Sequence, residues 1–355
     1  MRIAFGQCYT DAFRDTGWTR RMRRIAEGLA RAGHEVTVFC PHWWSGRAPE
    51  RYRRDVRYRA ITATPAPDAF AARLPGAIVR YNPDVVHVSS AEPWTVLSAR
   101  SGASVRRRPV VAEWFGDRPD HPPTPARVDR LALRAANRVV TPSRFVQTNV
   151  REFGASDDRT AVIPESINLS LIERLQPAGE ADLVYARRLD ADANVEPFLL
   201  ALAELRHRDW RATVIGDGPA RPRLLKQASD LRIADRVSFP GALPLVDRVA
   251  RYRRAHAFVQ TATRSPFASE LLWAMAAGCV GVVAYQSASS AHELVERRPR
   301  GIRVTEDTEL DDAIADAASM EHRSIDRTFE TFDHTAVRDR YLECYRTIRD
   351  EYGFF

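Results

Sequence analysis

One stretch, residues 256–284, constrains the fold more than any other. It opens with His256-Ala257-Phe258-Val259-Gln260 and closes with Val280-Gly281-Val282-Val283-Ala284. Both runs are short and apolar enough to be buried strands. The residues between them supply a loop and a helix of about two to three turns. Pro266 and Ser269 suit the helix entry, and Gly278 suits its exit. The order strand, loop, helix, strand implies parallel strands, and open parallel sheets bind ligands at the carboxyl ends of their strands. Backbone N–H groups at Ala268 to Glu270 would face that end and offer a place for an anion. A βαβ unit whose loop binds nothing has the same pattern.

At 355 residues the chain is long enough for two domains. Apolar residues make up 45% and charged residues 28%, a globular balance, and no run reaches the length of a membrane span. Met1-Arg2-Ile3-Ala4-Phe5-Gly6 reads as a strand rather than a signal peptide, which points to the cytoplasm. Cys8, Cys40, Cys279 and Cys344 lie far apart and fit no metal or redox spacing, so buried thiols and no metal site are expected. Net charge is +7, carried almost wholly by arginine, with Lys226 the only lysine. Arginine suits bidentate contacts to phosphate. A basic balance also suits nucleic acid or an anionic membrane surface. The arginines are spread in small groups without interleaved aromatics, so no nucleic-acid partner is expected.

Strands and helices alternate along both halves. Residues 2–6 form a strand, and Thr16-Gly17 precedes a helix from Trp18 to Arg31 with Met22, Ile25, Ala26, Leu29 and Ala30 on one face. Arg20, Arg21, Arg23 and Arg24 fall on its polar side, as a solvated face or as contacts to a phosphate-bearing acceptor or an anionic bilayer. Strands follow at 35–40, 83–88 and 109–113. Glu113 and Asp117 are the carboxylates near the end of the last, as surface groups or as residues that position an acceptor hydroxyl or take its proton. Residues 118–125, dense in proline, read as a surface loop near an interdomain cleft. Ser143 caps a helix. Expected bounds are 1–168 for the first domain, 169–181 for a linker, 182–322 for the second domain and 323–355 for a closing helical segment. In the second domain Gly216-Asp217-Gly218-Pro219 forms a tight strand-to-helix turn, where glycine accepts positive φ and allows close approach.

Several of these runs match a known pattern. Phe267, Ala274, Met275, Ala276 and Gly278 fall on their places in E-G-F-G-x-x-x-x-E-A-M-A-x-G. Gly33-His34-Glu35-Val36, Pro83-Asp84-Val85-Val86-His87, Arg188-Leu189, Gly216-Asp217-Gly218-Pro219, Asp235-Arg236-Val237 and Glu293-Leu294-Val295 match further motifs. The chain thereby resembles the retaining glycosyltransferases of family 4. That resemblance covers nearly the whole chain. It implies the GT-B fold: two Rossmann-like parallel-sheet domains facing across a cleft, with the last helix crossing back to the first domain. It implies a nucleotide-diphosphate sugar as donor, no permanently bound cofactor, no metal, and a glycan, lipid-linked carrier or small molecule as acceptor. A lipid-linked acceptor would bring the protein to an anionic membrane surface.

The resemblance, taken with a site rebuilt where the chain departs from the family, points to residues. Gly17, Arg188, Gly216, Gly218, Phe239, Ser265, Pro266, Phe267, Ala268, Ser269 and Trp273 would border the donor, and Glu113, Arg188, Arg264 and Glu270 would carry catalysis. Glu270, one turn before Trp273, would replace a lost ribose contact or simply favour the helix dipole. Trp273 would stack on a base or sugar, or pack between domains. The chain departs from the family at several places. Ser265 and Trp273 occupy the two glutamate positions, Ala193 the clamp lysine, and Ser89 and Phe115 two histidine positions, while only Gly17 remains of the loop glycines. An active transferase with a rebuilt site is the main expectation. A catalytically inactive partner or scaffold subunit and a basic nucleic-acid-binding module are the alternatives.

Overall fold

The computed structural model describes residues 1–90, 92–116 and 126–353. The chain divides into two compact units, 1–165 with 334–355, and 166–333. Asp117 and the loop 118–125 lie outside the described residues.

Unit 1 holds eight strands: β1 (Arg2–Gly6), β2 (Glu35–Pro41), β3 (Glu50–Arg53), β4 (Val56–Thr62), β5 (Val85–Ser89), β6 (Val110–Glu113), β7 (Arg138–Thr141) and β8 (Thr160–Val162). Their order is β3-β4-β2-β1-β5-β6-β7-β8. β3 pairs antiparallel with β4, and the other pairs are parallel. The central strands read as continuous apolar runs because helices cover both faces. Ile3 and Phe5 pack with Met22, Ile25 and Leu29 of helix Gly17–Arg31 and with Tyr341 and Tyr345 of helix His334–Gly353. Ala4, Val86 and Val88 pack with Phe70, Leu74 and Ile78 on the opposite face. The chain winds outward from β1 to β4, then returns to β5, so the switch point lies between β1 and β5.

Unit 2 repeats the plan with β9 (Leu183–Ala186), β10 (Ala212–Ile215), β11 (Val237–Gly241), β12 (Ala257–Gln260), β13 (Arg264–Ser265), β14 (Val280–Ala284), β15 (Ala288–Ser289) and β16 (Gly301–Val304). The parallel sheet runs β11-β10-β9-β12-β14-β16, and β13 pairs separately with β15. Its switch point lies between β9 and β12.

Three expectations need correction. The stretch 169–181 is not simply a linker. Helix Leu169–Arg174 forms there, with the Asn168 side chain accepting from the Leu171 N–H at 2.9 Å, and it belongs to unit 2. The closing segment divides at Asp333/His334, so residues 323–333 stay with unit 2. Arg21 is not on a solvated face but is buried, and Arg20, Arg23 and Arg24 pair with Asp15, Asp11 and Glu165. Of the cysteines, Cys8, Cys40 and Cys279 are buried and Cys344 is half-buried, all as free thiols. No helix among the described residues is long and apolar enough to cross a membrane.

Candidate functional site

The loops after β9, β10, β12 and β14 meet around the unit 2 switch point. Helix Ser269–Ala276 starts after Ala268, which has no side chain able to cap it. Within the opening turn the Ser269 N–H bonds Phe267 O at 3.0 Å, and the Leu272 N–H bonds Ala268 O at 3.0 Å. A helix start without a side-chain cap keeps N–H donors that an anion can take. The loop before it is held from its neighbours. Ser265 pairs with Ser289 in the β13–β15 ladder, the Ser290 N–H bonds Ser265 O at 2.8 Å, and Ser290 Oγ bonds Pro266 O at 2.8 Å. Ser265 is buried, so it serves as scaffold.

Arg187 and Arg188 diverge at the end of β9. Arg187 Nη1 donates to Arg264 O at 2.7 Å, tying the two switch-point loops together. The Arg188 side chain is 76% exposed, with Asp190 Oδ2 3.9 Å from its Nε. The Arg264 side chain is also exposed. Gly216 and Gly218 have φ of +142° and +155°, and a Cβ on either would meet Arg187 O at 1.8 Å or Leu189 O at 2.3 Å. Both glycines are therefore required by contact between backbones. The Leu189 N–H bonds Asp217 O at 3.0 Å, and the Ala220 N–H bonds Leu189 O at 2.9 Å. The 216–219 turn thus fixes the segment that carries Arg188. Phe239 is half-buried, and its carbonyl accepts from Arg221 Nη2 at 2.9 Å.

Glu270 is held by two polar neighbours, and Trp273 is packed away. Glu270 Oε2 accepts from Tyr252 Oη at 2.6 Å and from Arg248 Nε at 3.0 Å. Its side chain stays 28% exposed, so the carboxylate is fixed in position while still reaching solvent. Trp273 is buried in the apolar cluster with Leu272, Met275 and Phe258, and Phe267 packs partly against the same cluster. A stacking platform for a base requires an open ring face, which this burial removes.

In unit 1, Gly17 opens the first helix behind a Thr16–Thr19 capping box, and a Cβ added there would meet the Phe115 ring at 3.7 Å. Glu113 does not face solvent, contrary to the expectation of an acceptor base. It is 3% exposed, with Arg21 Nε 3.0 Å from Oε2, Tyr341 Oη donating to Oε1 and His87 Nε2 3.4 Å away. Burial pushes its carboxyl up, but the Arg21 guanidinium, helped by His87 and Tyr341, outweighs burial and holds it below the usual glutamate range. Glu113 is an ionised partner of Arg21, not a free base.

A carboxylate the sequence reading passed over lies at the unit 1 switch point. Glu92 precedes helix Pro93–Val105, and Thr95 Oγ1 donates to its Oε2 at 2.9 Å. Burial pushes the Glu92 carboxyl up to about 7, against smaller opposing effects of Thr95 and Arg14. Between the ordinary glutamate value of 4.5 and about 7, the folded chain keeps a proton that the unfolded chain has released. Stability therefore falls as pH rises through that window, by about 1–3 kcal/mol. Glu92→Gln is expected to unfold at higher urea than the parent at pH 8 and at the same urea at pH 4.5. Equal midpoints at pH 8 contradict this placement. The motif Ser89-Ser90-Ala91-Glu92-Pro93 held one hint, a carboxylate directly before a proline-started helix at a strand end.

Comparison with known proteins adds a family to this geometry. Residues 16–171 match the model described as Glycosyltransferase Family 4, and residues 171–328 match Glycosyl transferases group 1. A GDP-mannose-dependent alpha-(1-6)-phosphatidylinositol monomannoside mannosyltransferase of Mycolicibacterium smegmatis is 27% identical over 248 residues, which are 63% of this chain and 64% of that relative. The match thus spans just under two thirds of the relative's length. Among solved structures, a glycosyltransferase from Rickettsia africae superposes with a TM-score of 0.78 at 16% identity, covering 98% of each chain. The Anabaena protein HepE in complex with UDP gives a TM-score of 0.71 at 18% identity, covering 99% of this chain and 98% of that one. At such identities the structural likeness is one of fold, GT-B.

Proposed function

Since the chain belongs to the group 1 glycosyltransferases of family 4, we propose that it moves a sugar from a nucleoside-diphosphate donor to a hydroxyl of a glycan, a lipid-linked carrier or a small molecule. The observation that carries this reading is the uncapped start of helix Ser269–Ala276 at the same switch point as the exposed Arg188. Departure of the sugar builds negative charge on the diphosphate. Backbone N–H groups held by the β13–β15 ladder, with Arg188 and Arg264, stabilise that charge without rearranging. This chemistry needs no metal. On this reading Glu270 accepts a hydroxyl of the donor, and its hold by Arg248 and Tyr252 supports that role. Retention of configuration follows from the family resemblance, by attack of the acceptor on the face the leaving group vacates. A cytoplasmic site, peripheral to the membrane where the acceptor is lipid-linked, goes with this reading. The UDP of HepE and the GDP-mannose of the mycobacterial relative make both diphosphates the first to try.

UDP or GDP is expected to bind the intact chain with a dissociation constant below about 1 mM. Arg188→Ala is expected to weaken it about tenfold or more, the scale of one charge-assisted contact. Titration calorimetry reads both values. A folded chain that binds neither diphosphate overturns the donor site. Ser265 and Trp273 at the two family glutamate positions favour a second reading, a relative that binds the donor without turnover. Binding without hydrolysis or transfer, across a panel of nucleotide sugars and acceptors, selects it.

A further inference from the structure

Opposite charges are segregated along this chain. On the face of the unit 1 sheet that carries Phe70, Leu74 and Ile78, helix Pro67–Tyr81 packs on helix Pro93–Val105, and that one on helix Ala126–Ala135. With Arg106-Arg107-Arg108 after the second helix, these segments hold nine arginines against Asp68 and Asp129. Their excess of seven equals the net charge of the whole chain. Asp129 is buried, which leaves Asp68 as the exposed acid among the described residues of those segments. Unit 2 holds the reverse. Residues 305–321 contain seven carboxylates and no lysine or arginine, in a chain whose basic residues outnumber its acidic ones. Asp311 is half-buried, and the other six acids are exposed.

One spacing recurs in both patches. Arg127, Arg130 and Arg134 stand at i, i+3 and i+7 of helix Ala126–Ala135, and all three are exposed. Glu309, Asp312 and Asp316 have the same spacing at the entry to helix Leu310–Ser319 and along it, and all three are exposed. Residues so spaced form one stripe about 10 Å long, so the two stripes match in length and oppose in sign. None of the six is ion-paired among the described residues. Glu309 Oε2 accepts from the Thr305 and Glu306 N–H groups of its own turn, which leaves its charge in place. The helices themselves do not favour these charges. Arg127 stands in a first turn and Asp316 in a last turn, each at the end whose dipole repels it. Leu131, 56% exposed, sits within the arginine stripe. Leu200, 50% exposed, lies on helix Glu196–Glu204, which packs beside helix Leu310–Ser319. An anionic bilayer or a nucleic acid would answer the arginine face and leave the acidic stripe unmatched. A second copy of this chain supplies a partner to both.

We propose that copies of this chain associate by laying the arginine face of unit 1 on the acidic segment 305–321 of a second copy. The inference does not rest on the transferase reading. Made twice about a twofold axis, the contact closes a dimer; made once per pair, it gives chains that lengthen with concentration. Exposed charges are screened beyond about 8–10 Å at physiological salt and lose their attraction as salt rises. Sedimentation of the intact chain at about 50 μM is expected to give a mass above 40.1 kDa in about 50 mM salt, and 40.1 kDa in about 500 mM. Arg130→Glu with Arg134→Glu, and Asp312→Arg with Asp316→Arg, are each expected to weaken association tenfold or more at low salt. An equimolar mixture of the two variants is expected to associate again, since each reversed stripe then meets its opposite on the other copy. Circular dichroism checks the fold of each, and Arg130→Glu and Asp312→Arg alone serve where a double variant does not fold. A chain that stays at 40.1 kDa at low salt, variants that associate as the parent does, or a mixture that stays monomeric overturns the proposal. A monomer that binds phosphatidylglycerol vesicles at low salt without self-association also overturns it, and gives the arginine face to a membrane.

Discussion

Arg21→Ala is expected to remove about 3–5 kcal/mol from the stability of unit 1, enough to unfold a large fraction of the chain. Arg21 is 3% exposed, and its guanidinium is the common partner of groups distant in sequence. Nε donates to Glu113 at 3.0 Å, Nη1 to Pro164 O at 2.9 Å and Nη2 to Ile163 O at 2.6 Å. Glu165 Oε1 stands 3.3 Å from Nη1. Tyr341, from the closing helix, is hydrogen-bonded to both Arg21 and Glu113. Truncation leaves the Glu113 carboxylate without its cation and two carbonyls without donors. Arg21→Lys is expected to recover only a minor part, because an ammonium lacks the guanidinium's planar set of donors. The depressed Glu113 carboxyl adds a pH signature. Its share of stability is present above the ordinary glutamate value of 4.5 and is lost as pH falls through the lower folded value. Urea midpoints for the parent and both variants at pH 7 and pH 4 measure this. An unfolding free energy for Arg21→Ala within about 0.5 kcal/mol of the parent's would show that the pair contributes nothing to stability.

Gly216→Ala and Gly218→Ala are expected to cost unit 2 about 3 kcal/mol or more each, and to weaken diphosphate binding beyond what lost stability explains. A methyl group would lie 1.8 Å from Arg187 O in the first and 2.3 Å from Leu189 O in the second, at backbone angles that side chains rarely adopt. Neither obstacle is a flexible side-chain tip. The turn or the 187–189 segment must move, and Arg188 moves with it. Gly76→Ala is the control, in helix Pro67–Tyr81, where an added Cβ meets nothing within 4 Å. It is expected to be neutral or stabilising by up to about 1 kcal/mol, through helix propensity. Wild-type affinity in a folded Gly216→Ala chain would detach Arg188 from the proposed donor site.

How much was legible follows from the range of the interactions involved. The βαβ units announced themselves through apolar runs and through Gly278, Gly216 and Gly218. The β3–β4 hairpin passed unread, because Arg51, Tyr52 and Arg53 on an edge strand show no apolar run. Helix Leu169–Arg174 was hidden by its shortness and by Pro177 and Gly179 beyond it. Arg21 and Trp273 were misplaced for a different reason. Helical spacing tells which residues share a face, but not whether the polar face meets solvent or a buried carboxylate 92 positions away.

The amino-acid order alone determined the recurring strand-and-helix alternation, the special glycines and the family likeness, since these depend on backbone preference and short-range periodicity. Tertiary structure alone decided that Glu113 is consumed by Arg21 and that Glu270 is clamped from helix Leu245–Arg254. Charge pairing and desolvation act through space between residues far apart in the chain, so no local reading of the sequence contains them.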